Sequence, residues 1–302
     1  MKALVTGGAG FVGHHLVKEL LKNGIETVVF DISEINIDSF GLNNFQAPTC
    51  MKGDILDFDQ LMKAMKGCDL VFHTAAIADI DEARKIPQKT MRVNVQGTVN
   101  CLEAARLNNV QRFLYASSVY VSGNRGSFYR VSKQSGESLC KTYYEEFGLR
   151  YTILRYGSLY GREPNHWNFI YSVCKELLTI GEYHYTSSPE AIREYIHISD
   201  AARETVRIAL SEDFINKCIL ITGHQRMKMK EFFEMVEEIL GKEIKIYYAP
   251  EKRPRHYIRT PYGIESDVPV RVNLSTYIDI SEGIIDCLKE VQMQINETDD
   301  TK

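Results

Sequence analysis

From the first residues to about residue 160, short apolar runs of strand length alternate with stretches whose apolar residues recur every three or four positions. Residues 3–5, 25–30, 49–51, 69–76, 111–118 and 151–155 read as buried strands. Between them, Leu16, Val17, Leu20 and Leu21 mark one helix, stopped by Asn23-Gly24. Leu61, Met62 and Met65 mark a second, capped by Asp57 and closed by Gly67. Residues 91–109 form a third, with Val95, Val99 and Leu102 on one face, and 129–147 a fourth. Strands and helices in strict alternation predict an α/β fold built on a doubly wound parallel (Rossmann) sheet.

Beyond residue 160 the pattern changes. Residues 162–192 carry Pro164, Asn165, Trp167 and many tyrosines around one helix at 169–178. Residues 193–200 read as an extended segment feeding a helix at 201–210 capped near Ser199, followed by a strand at 218–222. A strongly amphipathic helix spans 228–240, and 250–272 is irregular and basic, with Lys252, Arg253, Arg255, Arg259 and Arg271. A last helix is expected over 275–291, then a polar tail from Gln292 that is expected to be disordered. This divides the chain into a nucleotide-binding domain at 1–165, with 194–222 returning to it, and a smaller mixed α/β substrate domain from 166–193 and 223–291. Residues 292–302 form the tail.

The first strand runs into Thr6-Gly-Gly-Ala-Gly-Phe-Val-Gly13, which turns and opens the first helix. Gly7 permits the tight turn, Gly10 lets backbone approach a pyrophosphate, and Gly13 lets the helix lie close to the strand. The free N–H groups of that helix start suit a phosphate bridge. Asp31 ends the next strand at the spacing expected of a ribose-binding carboxylate. It would accept from both ribose hydroxyls and repel a 2′-phosphate, so the expected cofactor is NAD rather than NADP. Asp54, at the end of the third strand, is placed to pair with the adenine amino group. Small residues closing the fourth strand would let the cofactor lie against the backbone, and His73, set between Phe72 and Thr74, reads as a core residue.

Composition narrows the function classes. The 302 residues carry a formal net charge of −4, which gives no support to nucleic-acid or membrane-surface binding. No run approaches the length of a membrane-spanning helix, and the chain opens on a strand rather than on a signal-like apolar core, which argues against export. Seven cysteines are scattered with no C-x-x-C pair and no histidine cluster. Reduced thiols in the cytoplasm are expected, and no metal. Two glycosylation-type sequons, at Asn273 and Asn296, are then chance matches.

Tyr129 and Lys133 are spaced so that both fall on one face of a helix, a turn apart, with the ammonium near the phenol oxygen. With these residues the chain resembles the extended short-chain dehydrogenase/reductase family, in its NAD-dependent epimerase/dehydratase group acting on nucleotide sugars. The resemblance is carried in order by T-G-G-A-G-F-V-G (6–13), Asp31, G-D-I (53–55), H-T-A-A (73–76), N-V-Q-G-T (94–98), Y-A-S-S (115–118), Y-x-x-x-K (129–133), L-R-Y-G-S-L-Y-G (154–161) and R-E-Y-I-H-I-S-D (193–200). It implies a catalytic triad of Ser118, Tyr129 and Lys133. It also implies a cofactor lined by Thr6, Gly7, Gly10, Phe11, Val12, Asp31, Ile32, Asp54, Ile55, Thr74, Ala75, Ala76, Asn94, Ala116 and Tyr156 together with Tyr129 and Lys133. The substrate would meet Ser118, Ser158 and Arg193, the last through its diphosphate, since arginine grips phosphate with a planar fork. Helices at 92–108 and 129–147 resemble those that pair in a homodimer.

Four departures stand out. The stretch between Ser118 and Tyr129 is short for the group, and V-Y-G after the serine is replaced by Val121-Ser122-Gly123. Val119 and Tyr120 stand where sugar dehydratases carry an Asp-Glu pair, which disfavours dehydration. Ser158 replaces the usual loop asparagine.

The chemistry of the triad can be stated. Ionising a free tyrosine at neutral pH costs about 4 kcal/mol, and an adjacent ammonium and a positive nicotinamide both lower that cost. Ser118 would hold the substrate oxygen in line. Hydride transfer, at C4 of the sugar on this reading, gives a keto sugar. If that sugar takes hydride back on its other face, the enzyme is an epimerase of a nucleotide-activated sugar; if it leaves, a 4-dehydrogenase or ketoreductase. A reductase of a non-sugar carbonyl and a catalytically silent dinucleotide sensor are the remaining alternatives.

Overall fold

The computed structural model describes residues 1–34, 40, 46–163, 168–248, 256–261, 269–272, 274 and 276–300. In chain order the elements are β1 (Lys2–Thr6), α1 (Phe11–Lys22), β2 (Glu26–Asp31), β3 (Thr49–Lys52), α2 (Phe58–Ala64), β4 (Leu70–His73), α3 (Ile80–Lys85), α4 (Pro87–Met91), α5 (Gly97–Leu107), β5 (Arg112–Ser118), α6 (Ser127–Phe147) and β6 (Tyr151–Tyr156). There follow β7 (Ser158–Tyr160), α7 (Phe169–Thr179), β8 (Glu182–Tyr185), β9 (Ile192–Arg193), β10 (Tyr195–His197), α8 (Ile198–Leu210), β11 (Lys217–Ile221), β12 (Met227–Lys228), α9 (Met229–Leu240), β13 (Lys245–Tyr248), β14 (Val270–Arg271) and α10 (Ile280–Asp300).

Two compact units result. The first comprises Met1–Tyr156, Ala202–Ile221 and Tyr262–Val272; the second comprises Gly157–Ala201, Thr222–Pro261 and Asn273–Lys302. The sequence pattern set the break near 165 and the return at 194–222, whereas the contacts set it after Tyr156 and include the later segment that carries β14.

The first unit is built on an eight-stranded sheet in the order β14-β11-β6-β5-β4-β1-β2-β3. Every pairing among its described residues is parallel. Parallel strands need crossover helices on both faces, so their residues are buried on both sides. That is why β5 is buried from end to end and reads as a continuous run rather than an alternation. Leu4, Phe30, Val71, Phe113 and Tyr115 pack there against Leu61, Leu102 and Cys140 of the helices. The order of strands reverses between β1 and β4, the position at which open α/β sheets form their ligand crevice.

At the other end of β5, the buried Arg112 serves as a clamp. Its Nη1 donates to the carbonyls of Ile208, Ala209 and Ser211 at 3.1, 3.0 and 2.8 Å, closing the C-terminal end of α8. Its Nε and Nη2 both reach Thr152 Oγ1, at 2.8 and 2.6 Å.

The second unit packs α7, α9 and α10 around an aromatic-rich core of Tyr160, Phe232, Phe233, Ile284 and Leu288. Its strands form two-stranded pairs: β7 with β10 and β8 with β13, both parallel, and β9 with β12, antiparallel.

Several elements differ from the sequence expectation. The helix expected over 91–109 is broken by a π-turn at Arg92–Gln96, and α3 and α4 precede it. The last helix starts later and ends later than expected. Asp279 caps it, its Oδ1 accepting from Ser281 N at 2.9 Å. It then continues to Asp300, so the polar segment from Gln292 is helical rather than disordered. Tyr171 of α7 donates to Gln294 at 3.0 Å and Gln292 to Asn296 at 3.0 Å, which ties that polar stretch down. Pro164, Asn165, Trp167, Lys252, Arg253 and Arg255 lie outside the described residues.

Gly136 lets α6 lie flat on β5, since a Cβ there would overlap the hydroxyl and ring of buried Tyr115. Gly136→Ala is therefore expected to destabilise the chain by about 1–3 kcal/mol, the usual cost of overpacking. Tyr115→Phe in the same background should recover part of the loss. Denaturant unfolding of the two variants measures both effects.

Candidate active site

The glycine loop closes the switch point by direct contact. Gly7 adopts φ +73°, and a Cβ there would meet Ala75 N at 2.6 Å, so no other residue fits. Thr74 donates its hydroxyl to Thr6 O at 2.7 Å, locking the end of β4 to the end of β1. Gly10 caps α1 without any side-chain hydrogen bond, and the first turn of α1 holds no acidic residue. Its N–H groups, with the half-buried Val12 and buried Phe11 beside them, form an electropositive cradle of bare backbone. Asp31 stands at its rim, accepting from Ala9 N at 3.0 Å and Ser33 N at 2.9 Å. Ile32 is 66% exposed beside it. Asp54 is exposed, with Oδ1 accepting from Leu56 N at 2.9 Å, while Ile55 is buried against Gly97.

His73 is a core residue, as its sequence setting predicted. Thr98 donates its hydroxyl to Asn94 O at 2.6 Å, so that oxygen must accept from His73 Nε2, 3.0 Å away. His73 Nδ1 is then the acceptor for the Thr6 hydroxyl at 2.8 Å. Burial, with the Lys133 ammonium nearby as a lesser cause, lowers its pKa to about 3.

Asn94 lies in the π-turn and is 2% exposed. Its Oδ1 accepts from Ile77 N at 2.8 Å, and its Nδ2 donates to Ile77 O at 3.0 Å and to Ser132 Oγ at 3.0 Å. The extra residue of the π-turn aims this side chain, a common use of such turns. Asn94 thereby ties the segment after Ala75 and Ala76 to α6.

Ser118, Tyr129 and Lys133 come together at the end of β5. Tyr120 N donates to Ser118 Oγ at 3.4 Å. Ser118 is hydrogen-bonded to the Tyr129 phenol. Lys133 is 4% exposed, donates to Ala116 O at 2.7 Å and lies 5.8 Å from the centre of the Tyr129 ring. Burial, partly offset by the bond from Ser118, raises the Tyr129 phenol to about 12. Burial also lowers Lys133 to about 8, opposed by the negative charge of Glu137.

The other site residues lie elsewhere. Tyr156 turns its hydroxyl to Thr205 Oγ1, 2.7 Å away, so its side chain serves packing within the first unit. Ser158 and Arg193 belong to the second unit. There Ser158 Oγ lies 2.9 Å from Tyr257 Oη, and the Arg193 guanidinium stacks over the Tyr257 ring at 4.5 Å. Tyr257 was not anticipated from sequence, since it lies in an irregular stretch with no periodicity around it. Glu137 was not anticipated either, although its four-residue spacing from Lys133 repeats that of Lys133 from Tyr129.

The profile of the NAD dependent epimerase/dehydratase family matches residues 3–217. The chain belongs to this family. Among relatives, the uncharacterized UDP-glucose epimerase YtcB of Bacillus subtilis is 28% identical over 276 residues, covering 82% of this chain and 85% of its own. A putative UDP-glucose 4-epimerase of Methanocaldococcus jannaschii is 27% identical over 302 residues, covering 93% and 95%. Among solved structures, the UDP-glucuronic acid 4-epimerase of Bacillus cereus, in complex with UDP-glucuronic acid and NAD, superposes with a TM-score of 0.86 at 27% identity. It covers 97% of this chain and 100% of the other. The parallel sheet and its helices are the fold of this family. The bare-backbone cradle at Gly7 and Gly10, with Asp31 at its rim, fits the dinucleotide in the family's name. Among the described residues, no helix is long and apolar enough to cross a membrane and no group of side chains is arranged to hold a metal ion.

The titration of His73 bears on stability. Unfolded, it takes a proton near pH 6.5; folded, only near pH 3, so the unfolded chain binds more protons between those values. Its contribution is fully present above pH 6.5 and is lost as pH falls toward 3, by about 1.4 kcal/mol per pH unit at most. His73→Asn should flatten the fall in unfolding free energy between about pH 6 and about pH 4 by that order. Urea unfolding across the range measures it.

Proposed function

We propose that the protein is an NAD-dependent 4-epimerase of a UDP-activated hexose, working through a transient 4-keto sugar. The observation that carries this reading is the convergence of Ser118, Tyr129 and Lys133 at the end of β5, in a family whose relatives bear UDP-sugar epimerase names. A bound NAD supplies reversible acceptance of hydride at its nicotinamide. The N–H groups of the first turn of α1 hold its pyrophosphate, and Asp31 accepts from its adenosine ribose. Thr74, Ala75 and Ala76 offer it a flat backbone, and Lys133 binds its second ribose.

Tyr129 takes the proton of the sugar hydroxyl. Burial, partly offset by Ser118, holds its phenol near pH 12, and the positive charges of Lys133 and the oxidised ring bring it toward neutrality. Ser118, whose oxygen is already tethered by Tyr120 N, donates to the same sugar oxygen and fixes its direction. On return, Tyr129 gives the proton back. Neither Val119 nor Tyr120 supplies the carboxylic acid that loss of water would need, which favours a redox-neutral inversion.

In the second unit, Arg193 is the candidate for the substrate diphosphate and Ser158, through Tyr257, for its orientation. The seven cysteines, none in a disulfide and five of them buried, suit a reducing cytoplasm. We also propose a homodimer through α5 and α6, on which Leu107, Tyr144 and Phe147 are exposed at 45%, 42% and 56%.

Three measurements test these readings. Supplied with UDP-hexoses and NAD, the protein should invert C4 with no net appearance of NADH; net NADH would mark a dehydrogenase instead. Tyr129→Phe should lower turnover by about 10²–10⁴-fold while NAD still binds; unchanged turnover would remove the catalytic assignment. Light scattering should report a dimer, and Phe147→Asp should shift it toward monomer.

A further inference from the structure

Lys133 faces a conflict. The proposed chemistry needs an ammonium, yet the side chain is almost wholly withdrawn from water, which favours the neutral amine. The groups around it can be named element by element. On α6 they are Tyr129, Glu137 and the thiol Cys140; on β5, Tyr115, whose ring centre lies 5.1 Å from Nζ; on β4, the neutral His73; on the π-turn, the neutral Asn94. Glu137 is the one carboxylate in this set.

Glu137 is itself buried and fully engaged. Arg155 of β6 grips it with both faces of its fork, Nε to Oε1 at 2.8 Å and Nη2 to Oε2 at 2.6 Å. Ser117 donates to Oε1 at 2.5 Å. Arg155 also donates through Nη1 to Ser122 Oγ at 3.2 Å, within the 3₁₀ turn Val119–Ser122 that follows Ser118.

These contacts join β5 to α6. Three successive residues of β5 meet three residues of α6 set one turn apart: Ala116 with Lys133, Ser117 with Glu137 and Ser118 with Tyr129. A slide of α6 by one residue would break all three. We infer that Glu137 is a positioning residue that keeps Lys133 charged and α6 in register with β5, with Arg155 setting how much of its charge Lys133 feels. This rests on the roles of Tyr129 and Lys133 proposed above. A buried ion pair confers little net stability against apolar replacements, so its use lies in the field it maintains.

The two partners must then act on Lys133 in opposite senses, which a purely structural role would not produce. Glu137→Gln keeps the shape but leaves Arg155 uncompensated, so Lys133 should lose its proton about one pH unit lower. Arg155→Met leaves Glu137 uncompensated, so Lys133 should hold its proton to higher pH. Glu137→Gln combined with Arg155→Met should lie between them. NMR titration of ¹³C-labelled lysine in the full-length protein reads Lys133 directly, with Lys133→Arg as the assignment control. The alkaline limb of epimerisation should move with it, downward in Glu137→Gln and upward in Arg155→Met.

Titration midpoints that stay fixed, or move together while both variants merely melt earlier, would overturn the inference. Should Glu137→Gln fail to fold, Arg155→Met and the double variant give the same reading. A wild-type chain that converts no UDP-hexose while the midpoints still separate would sink the epimerase reading and leave this one standing.

Discussion

An ammonium ion held out of water is the constraint around which the first unit is arranged. Removing a charge from water is costly unless a partner or a set of dipoles replaces the hydration shell. At Lys133 that shell is replaced piecemeal: one carbonyl at the end of β5, the rings of Tyr115 and Tyr129, and a carboxylate one turn along its own helix. None of these forms a contact ion pair with Nζ. The ammonium is therefore sustained by a field rather than locked in a salt bridge, and its hydrogen atoms remain available on the side that faces Tyr129.

The same economy of polar groups governs the floor of the crevice. Thr6, His73, Thr98 and Asn94 form one chain of hydrogen bonds in which each donor has its acceptor, from the Thr6 hydroxyl to the Asn94 carbonyl. Burial keeps His73 neutral and the complete chain fits that form, so no second positive charge stands beside Lys133. Asn94 then extends the network to Ile77 and Ser132. The loop after β4, the π-turn and α6 are held as one rigid seat.

How far the sequence exposed this arrangement depended on the range of the forces involved. Gly7 and Gly13 were legible because steric exclusion acts within a few residues and leaves glycine as its mark. Tyr129 and Lys133 were legible because helical periodicity is local. The strands of the large sheet were legible because burial on both faces writes an unbroken apolar run. The pairs β7–β10, β8–β13 and β9–β12 were not, since strands of two to four residues carry no period and exist only by packing against helices from distant parts of the chain. The π-turn at Arg92–Gln96 leaves no mark, because its residues also suit an α-helix within the expected 91–109 span and Asn94 meets Ile77 only in the folded chain. The end of α10 misled for a related reason: a polar face reads as disorder until a neighbour such as Tyr171 is placed against it.

The shortened stretch between Ser118 and Tyr129 shows how a departure from the family pattern is absorbed. The chain leaves β5 through a tight 3₁₀ turn and enters α6 through Gly126 at φ +103° and Ser127 at φ +51°. Two successive residues in the left-handed region reverse the chain in the least space. They are tolerated because Gly126 lacks a Cβ, which would press on the Tyr120 ring. That ring stands edge-on to Tyr129, centres 6.4 Å apart and planes at 77°. An aromatic edge is weakly positive and supplies no carboxylic proton. Tyr120 thus covers one side of the Tyr129 ring with a group that carries no carboxylic acid.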